Sequence, residues 1–540
     1  VTTTRTRPDR GVGSAAATIT FWNLVSRILG FVRVIATAGA LGIAALGDTY
    51  QRTNQVSNLL FELLAGGMLF AVLVPTFVDH LQRTDRADVG RLAGAVATRA
   101  VVALGLVAAV GLALAEPLMA VLTAGVQGPG RQAQIDLGVF LLWFVLPQLL
   151  FYGVGAVASA VLQADHRFVA TSVAPAGASL VVTVTMVAFA AGHDPAQGLA
   201  LTHGQKALLG GGTLLATVVL ALVPMLAAAR AGYPLRPGWR VPSEELAALV
   251  RRGAWATGHV GLNQVLVIAT VVFAGRIEGG VIAYQTAFTF FLLPHALLAH
   301  PIFTSLYPRL ATAGASGAPG ADLDAFAVTL GRGLRTMGAL VLPASALLAA
   351  AAAPALSLVQ LGEFDAEGVA LVGSTLAAYL TGLAAYSATF LLTRASYALG
   401  DARSPTTVNL WVTGAAVGVM AVATAVAEGR GLLVAFGLIT AATGTAGAVA
   451  LYRQVVARAG RAVPVVTSLS RSCLVAAAGG GAAWLVVGAI GWASAPAAAA
   501  ALGVGTTTGL VVGGAVVSLT GTADVAPILA LARRARSRLR

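Results

Sequence analysis

Apolar runs of about twenty residues recur along this chain from residue 15 to residue 520, and few folds accept such a pattern. A helix needs that length to cross the hydrocarbon core of a bilayer, where every backbone N–H and C=O must be bonded within the protein. Fourteen spans can be marked, approximately 15–42, 54–78, 92–122, 134–162, 167–191, 206–229, 247–275, 281–307, 328–352, 367–393, 405–427, 431–452, 466–491 and 497–520. With 57% hydrophobic and 10% charged residues, the chain is excluded from the water-soluble globules. The fold class expected is all-α integral membrane, with about fourteen transmembrane helices. Abundant glycine, alanine and serine inside the spans lets such helices approach closely.

An even number of spans puts both termini on one side, and the basic residues choose the side. The segments flanking the odd-to-even hairpins hold only Arg52, Arg131, Lys206, Arg276 and Arg430, whereas twenty-six basic residues fall on the opposite side. Both termini are therefore expected in the cytoplasm. The net charge of +13 is then topological signal and attraction to anionic lipid headgroups, which argues against a nucleic-acid partner. Arg5, Arg7 and Arg10 before an apolar stretch imitate a secretory signal, but Asn23, Arg27 and Arg33 interrupt that stretch, so it reads as a first membrane helix after a short tail. The single cysteine, Cys473, excludes an intramolecular disulfide and a cysteine-based metal site. No metal and no cofactor are expected.

An internal repeat is visible. Pro75 in Leu73-Val74-Pro75-Thr76-Phe77 recurs as Pro308 in Leu306-Tyr307-Pro308-Arg309-Leu310, and Asp165 and Arg167 recur as Asp401 and Arg403, each about 235 residues later. Six spans separate the copies, so the two halves share one membrane orientation, as in a parallel repeat. The organisation expected is a cytoplasmic tail (1–14), an N-terminal six-helix lobe (15–230) and a cytoplasmic linker (231–246). A C-terminal six-helix lobe (247–455) then faces the first across a central cavity. Two additional transmembrane helices (466–520) and a basic cytoplasmic tail (521–540) complete it.

Two arginines lie inside the first span, in Ser26-Arg27-Ile28-Leu29-Gly30-Phe31-Val32-Arg33. An arginine at bilayer depth costs roughly 2.5–3.5 kcal/mol on insertion scales, so it marks a functional-site candidate, here an anion site. On a straight helix the pair would stand roughly 120° apart in azimuth and about 9 Å apart along the axis. A break at Gly30 could aim both at one cavity. Asp48 and Arg52 have the i, i+4 spacing of an ion pair, expected at the rim of the outer mouth. Asn54, Gln55, Asn58 and Glu62 make the second span polar, and Glu62 is a candidate counter-charge for Arg27 or Arg33. The seventh span carries His259, Asn263 and Gln264; the eighth carries Gln285, His295 and His300. Pro294, Pro301 and Pro308 recur every seven residues, so the eighth span should be kinked and is a candidate moving part. Either histidine could titrate in a proton-coupled cycle or be structural.

At these residues the sequence resembles the MurJ/MviN lipid II flippases of the MATE-like exporter superfamily. The resemblance runs from the Ser26–Arg33 motif through Asp48, Asn58 and Val74-Pro75 to Gly362-Glu363-Phe364 and Arg394-Ala395-Ser396-Tyr397-Ala398-Leu399-Gly400-Asp401-Ala402-Arg403-Ser404-Pro405. It implies a transporter, not an enzyme, moving an undecaprenyl-diphosphate-linked saccharide to the outer leaflet of the bacterial plasma membrane by alternating access. It also implies that Arg27 and Arg33 bind the diphosphate and that Asp48 is functionally sensitive. Ser26, Asn58, Glu62, Asn263 and Gln285 complete the expected substrate-binding set, with hinges at Gly30, Pro294 and Pro301 and no catalytic residue. A coupling cation (Na+ or H+) or the membrane potential would drive the cycle. The sequence departs from the family at Val34, where an acidic residue is usual, and at Phe61 and Thr289, where arginines are often found. Another polyprenyl-diphosphate-linked glycan and small-molecule export remain open as alternative cargoes.

Overall fold

The computed structural model describes residues 10–63, 67–239, 261–314 and 322–520. Among them the chain is helical throughout, without strands. It divides into two compact units, residues 1–264 with 361–363, and residues 265–360 with 364–540. Unit 1 contains α1 (Arg10–Leu41), α2 (Ala45–Phe61), α3 (Gly67–Arg83), α4 (Arg86–Ala113), α5 (Ala115–Leu122), α6 (Gly130–Val145), α7 (Gln148–Ala164), α8 (Val169–Gly192) and α9 (His203–Arg230). The division falls inside α10 (Gly261–Ala274). Unit 2 continues with α11 (Gly280–Pro294), α12 (His300–Ala313), α13 (Leu323–Ser357), α14 (Ala366–Leu380), α15 (Leu383–Ala398), α16 (Arg403–Val426), α17 (Gly429–Ala459), α18 (Val466–Ile490) and α19 (Ala495–Thr520).

Eleven described helical segments are long and apolar enough to cross a membrane, or twelve if α14 and α15, bent by 46°, form one span. The described residues thus carry eleven or twelve spans rather than fourteen. The second predicted span is split between α2 and α3, with 64–66 outside the described residues, and the seventh is described only from Gly261. His259, part of the linker and most of both tails also lie outside them.

The repeat seen in sequence is also a repeat of packing. In unit 1, α2 packs on α6, α3 on α7, α4 on α7, and α9 on α6, α7 and α8. In unit 2, α11 packs on α14, α12 on α15, α13 on α15, and α17 on α14, α15 and α16. The α18–α19 pair leans on α13 in the same unit. Small residues set these approaches: a side chain at Gly155 in α7 would meet the Ala221 backbone of α9 at 3.0 Å, and one at Gly479 in α18 would meet the Gly509 carbonyl of α19 at 2.7 Å.

Repeated sequence motifs fasten the loops. Asp165 pairs with Arg167 at 2.7 Å and Arg86 at 3.6 Å. Its counterpart Asp401 pairs with Arg458 at 2.9 Å and accepts from the N–H groups of Arg403 and Ser404 at the start of α16. Burial pushes the Asp401 carboxyl up, but the Ser404, Arg458 and Arg403 interactions outweigh it and hold the group below the ordinary aspartate range. Beyond α9 the chain enters a groove on α4. Pro234 packs at Gly90, the Arg236 backbone lies against Gly94, the Gly238 N–H donates to Thr98 (3.1 Å), and Arg99 donates to the Trp239 carbonyl (2.6 Å). Tyr233 is buried here; burial and then the Asp165 charge raise its hydroxyl above the ordinary value, with Arg86 opposing.

Candidate functional site

Unit 1 assembles its polar residues on α1 and α2. The C-terminal half of α1 packs on α8 and buries Ile35, Thr37, Ala38, Ala40 and Leu41. Residues 21–34 of the same helix are half-buried or exposed: Arg27 and Arg33 are exposed on the unit, and Ser26 is half-buried. At Gly30, where a break could have aimed both at one cavity, α1 is helical without interruption. The two guanidiniums therefore keep the separation of a regular helix. A side chain at Gly30, between them, would meet nothing within 4 Å.

The α2 helix has two polar faces with different fates. Asn58 and Glu62, four residues apart, are exposed on the same side, with Asn54 and Gln55 half-buried. Among the described residues no ion pair joins Glu62 to Arg27 or Arg33, so the expected counter-charge contact is absent. On the other face Asp48, Arg52, Thr53 and Ser57 are buried. Arg52 is 0% exposed, lies 3.4 Å from the Asp48 carboxylate and donates to Gln134 of α6. The expected rim pair is thus an interior pair. The reason is that α2 packs on α5 and α6, which turns its Asp48–Arg52 face into the protein.

Sequence reasoning missed the seam beside this pair. The Tyr50 and Thr213 hydroxyls are 2.7 Å apart, and Thr217 donates to Gln148 Oε1 (3.1 Å), linking α2, α7 and α9 by way of α9. Gln134, Gln148, Tyr152 and Thr217 inside otherwise apolar spans were the available signal. Phe61 lies against Tyr152, with ring centroids 4.8 Å apart and planes tilted by 38°.

The remaining candidates are placed separately. Asn263 is exposed on α10, in the last residues of unit 1. Gln285, half-buried on α11 in unit 2, accepts from the Thr289 hydroxyl through its backbone carbonyl (2.8 Å). The eighth span is irregular where the prolines stand: five residues, His295–Ala299, are π-helical between Pro294 and α12, and Pro301 is exposed in the first turn beyond. His295 is buried there, its Nδ1 3.0 Å from the Ser387 hydroxyl.

A family model described as lipid II flippase MurJ matches residues 37–505. The chain belongs to the lipid II flippase MurJ family. The match covers Asp48, Asn58, Glu62, Asn263 and Gln285, while Arg27 and Arg33 lie just ahead of it. A probable lipid II flippase MurJ of Rhizobium tropici is 30% identical over 390 residues, covering 71% of this chain and 70% of the relative. The lipid II flippase MurJ of Burkholderia cenocepacia is 27% identical over 408 residues, or 74% and 75% of the two chains. Among solved structures, a MurJ lipid II flippase in an inward closed conformation aligns with TM-score 0.73 at 15% identity, over 93% of this chain and 98% of that one. An inward-facing multidrug resistance MATE family transporter of the MOP superfamily aligns with TM-score 0.61 at 14% identity, over 81% and 94%. These two likenesses are of fold. MurJ family membership and the apolar helices make the chain a multi-pass membrane protein of a transporter family.

Proposed function

We propose that this chain flips lipid II, the undecaprenyl-diphosphate-linked peptidoglycan precursor, from the inner to the outer leaflet of the plasma membrane by alternating access. Membership of the lipid II flippase MurJ family carries the reading. The chemistry of unit 1 supports it: a lipid diphosphate is a multiply charged head that hydrocarbon excludes, and guanidiniums bind phosphate through paired, charge-assisted hydrogen bonds. Arg27 and Arg33 are exposed on a membrane helix, which is where such a head would meet them. Asn58 and Glu62 on the open face of α2 would bond the polar saccharide. Both termini lie in the cytoplasm on this reading, and the cycle is driven by the membrane potential, worth about 2.3 kcal/mol per charge per 100 mV, or by a coupled Na+ or H+.

The test is depletion of the protein in cells followed by assay of lipid-linked precursors in each leaflet. Lipid II should accumulate in the inner leaflet; accumulation of a different polyprenyl-linked glycan would overturn the assignment of cargo. Arg27→Ala should abolish complementation while the protein still inserts and folds, and Arg27→Lys should restore little, because a point charge lacks the planar fork. Full complementation by Arg27→Ala would remove the arginine from the diphosphate site.

A further inference from the structure

Unit 2 holds a guanidinium that no carboxylate pairs with among the described residues. Arg394 stands near the C-terminal end of α15, with its Cζ 4.1 Å from the Phe303 ring centroid and 6.0 Å from that of Tyr307, both on α12. Its Nη1 is buried and has no hydrogen-bond partner. Among the described residues no carboxylate pairs with it, and the nearby loop aspartate, Asp401, is engaged by Arg458 and by the start of α16. Stacking on an aromatic ring offsets part of the cost of covering a cation, but it supplies no acceptor for the buried Nη1.

The surroundings are built around that charge. Phe390 and Tyr397 flank Arg394 at i−4 and i+3 on α15, and His300 and Tyr307 lie one above the other, seven residues apart, on α12. Phe303, 1% exposed, is a fixed floor, stacked on Phe390 with centroids 5.9 Å apart and planes 13° apart. Tyr307 and Tyr397 remain 38% and 43% exposed, which leaves both phenols open to an incoming acceptor. An interior arginine that served only to stabilise the fold would be expected to have a carboxylate or carbonyl at each terminal nitrogen. Arg52 in unit 1 comes closer to that arrangement, with Asp48 and Gln134 at its two terminal nitrogens.

We propose that Arg394, seated on Phe303 and flanked by Tyr307 and Tyr397, is a second phosphate-binding position, in unit 2, that holds the diphosphate of the transported lipid at one stage of the cycle. The proposal rests on the reading of the chain as a lipid-diphosphate flippase. The ligand chemistry is a phosphate ester on a lipid, and a bilayer phospholipid could supply the same group, so the experiment separates the two.

Full-length protein in phosphatidylcholine nanodiscs, with and without phosphatidylglycerol, is titrated with undecaprenyl diphosphate, and bound lipid is counted by native mass spectrometry. Arg394→Ala should weaken undecaprenyl diphosphate binding at least about tenfold in both lipid mixtures, as loss of a charged hydrogen-bond donor does. Should Arg394→Ala fail to fold, Arg394→Lys and the Tyr307→Phe/Tyr397→Phe pair carry the same test, each expected to weaken binding. Unchanged binding in the folded variants overturns the proposal. Loss of retained phosphatidylglycerol alone also overturns it, assigning the guanidinium to the bilayer. If binding is lost in Arg27→Ala/Arg33→Ala but kept in Arg394→Ala, only this inference fails. If the unsubstituted protein takes up no undecaprenyl diphosphate, the functional reading falls with it.

Discussion

Arg52 is the charged side chain most dependent on its neighbours, being 0% exposed with the Asp48 carboxylate at 3.4 Å and Gln134 as its second partner. Removing one member of a buried ion pair leaves the other charge in a medium that solvates it poorly. Arg52→Ala should therefore lower stability by roughly 3–5 kcal/mol, whereas Arg52→Met combined with Asp48→Asn should cost much less, because no net charge is then stranded. Thermal unfolding of purified protein in one detergent checks this, and equal losses in the two variants would show that the charge is unimportant there. The contrast with Arg27 is instructive at the same scale. Both are arginines of the first lobe, but one is walled in by α5 and α6 and the other stands on the open half of α1. Burial separates a structural arginine from a candidate ligand where residue type cannot.

At the scale of elements, helix pairs in this protein are set by which residues lack side chains. The segment after α9 lies on α4 because Gly90 and Gly94 leave a trough for it, and a side chain at Gly94 would collide with the Arg236 backbone. Gly94→Val should lift residues 234–239 off α4 while α4 itself persists, seen as faster proteolysis and faster amide exchange in that stretch with unchanged helical circular dichroism. Unchanged protection would mean that Thr98 and Arg99 hold the segment unaided. A similar fit occurs where Glu363 donates to the Gly39 carbonyl at 2.8 Å, with Gly362 at φ +55° packed on the same carbonyl. That contact joins residues 361–363 to the end of α1 and so to unit 1. The motif Gly362-Glu363-Phe364 could be noticed in the sequence, but the chain that it touches, more than three hundred residues earlier, could not.

For the whole molecule, the asymmetry of basic residues makes the most direct prediction. Reporter fusions after residues 85, 240 and 465 should read cytoplasmic, and fusions near 128 and 198 should read external. A reversal at 240 would break the two-lobe organisation. The matching sets of helix contacts inside the two units show that the internal packing is repeated, and the fusions would show which way each half faces.

Hydropathy was sufficient to define an all-helical membrane chain, because the bilayer forces every spanning segment to satisfy its own backbone and leaves the apolar runs unmistakable. The Ser26–Arg33 motif and the proline-marked eighth span were legible for a related reason, since charge and proline are conspicuous in hydrocarbon. What the spans pack against was decided by tertiary structure alone. The same i, i+4 spacing served a buried pair at Asp48 and Arg52 and an open face at Asn58 and Glu62, and only the position of α5 and α6 distinguishes them. The unpaired guanidinium of Arg394 likewise became visible only when α12 brought Phe303 and Tyr307 beneath it, because partnership across ninety residues of sequence is a property of packing.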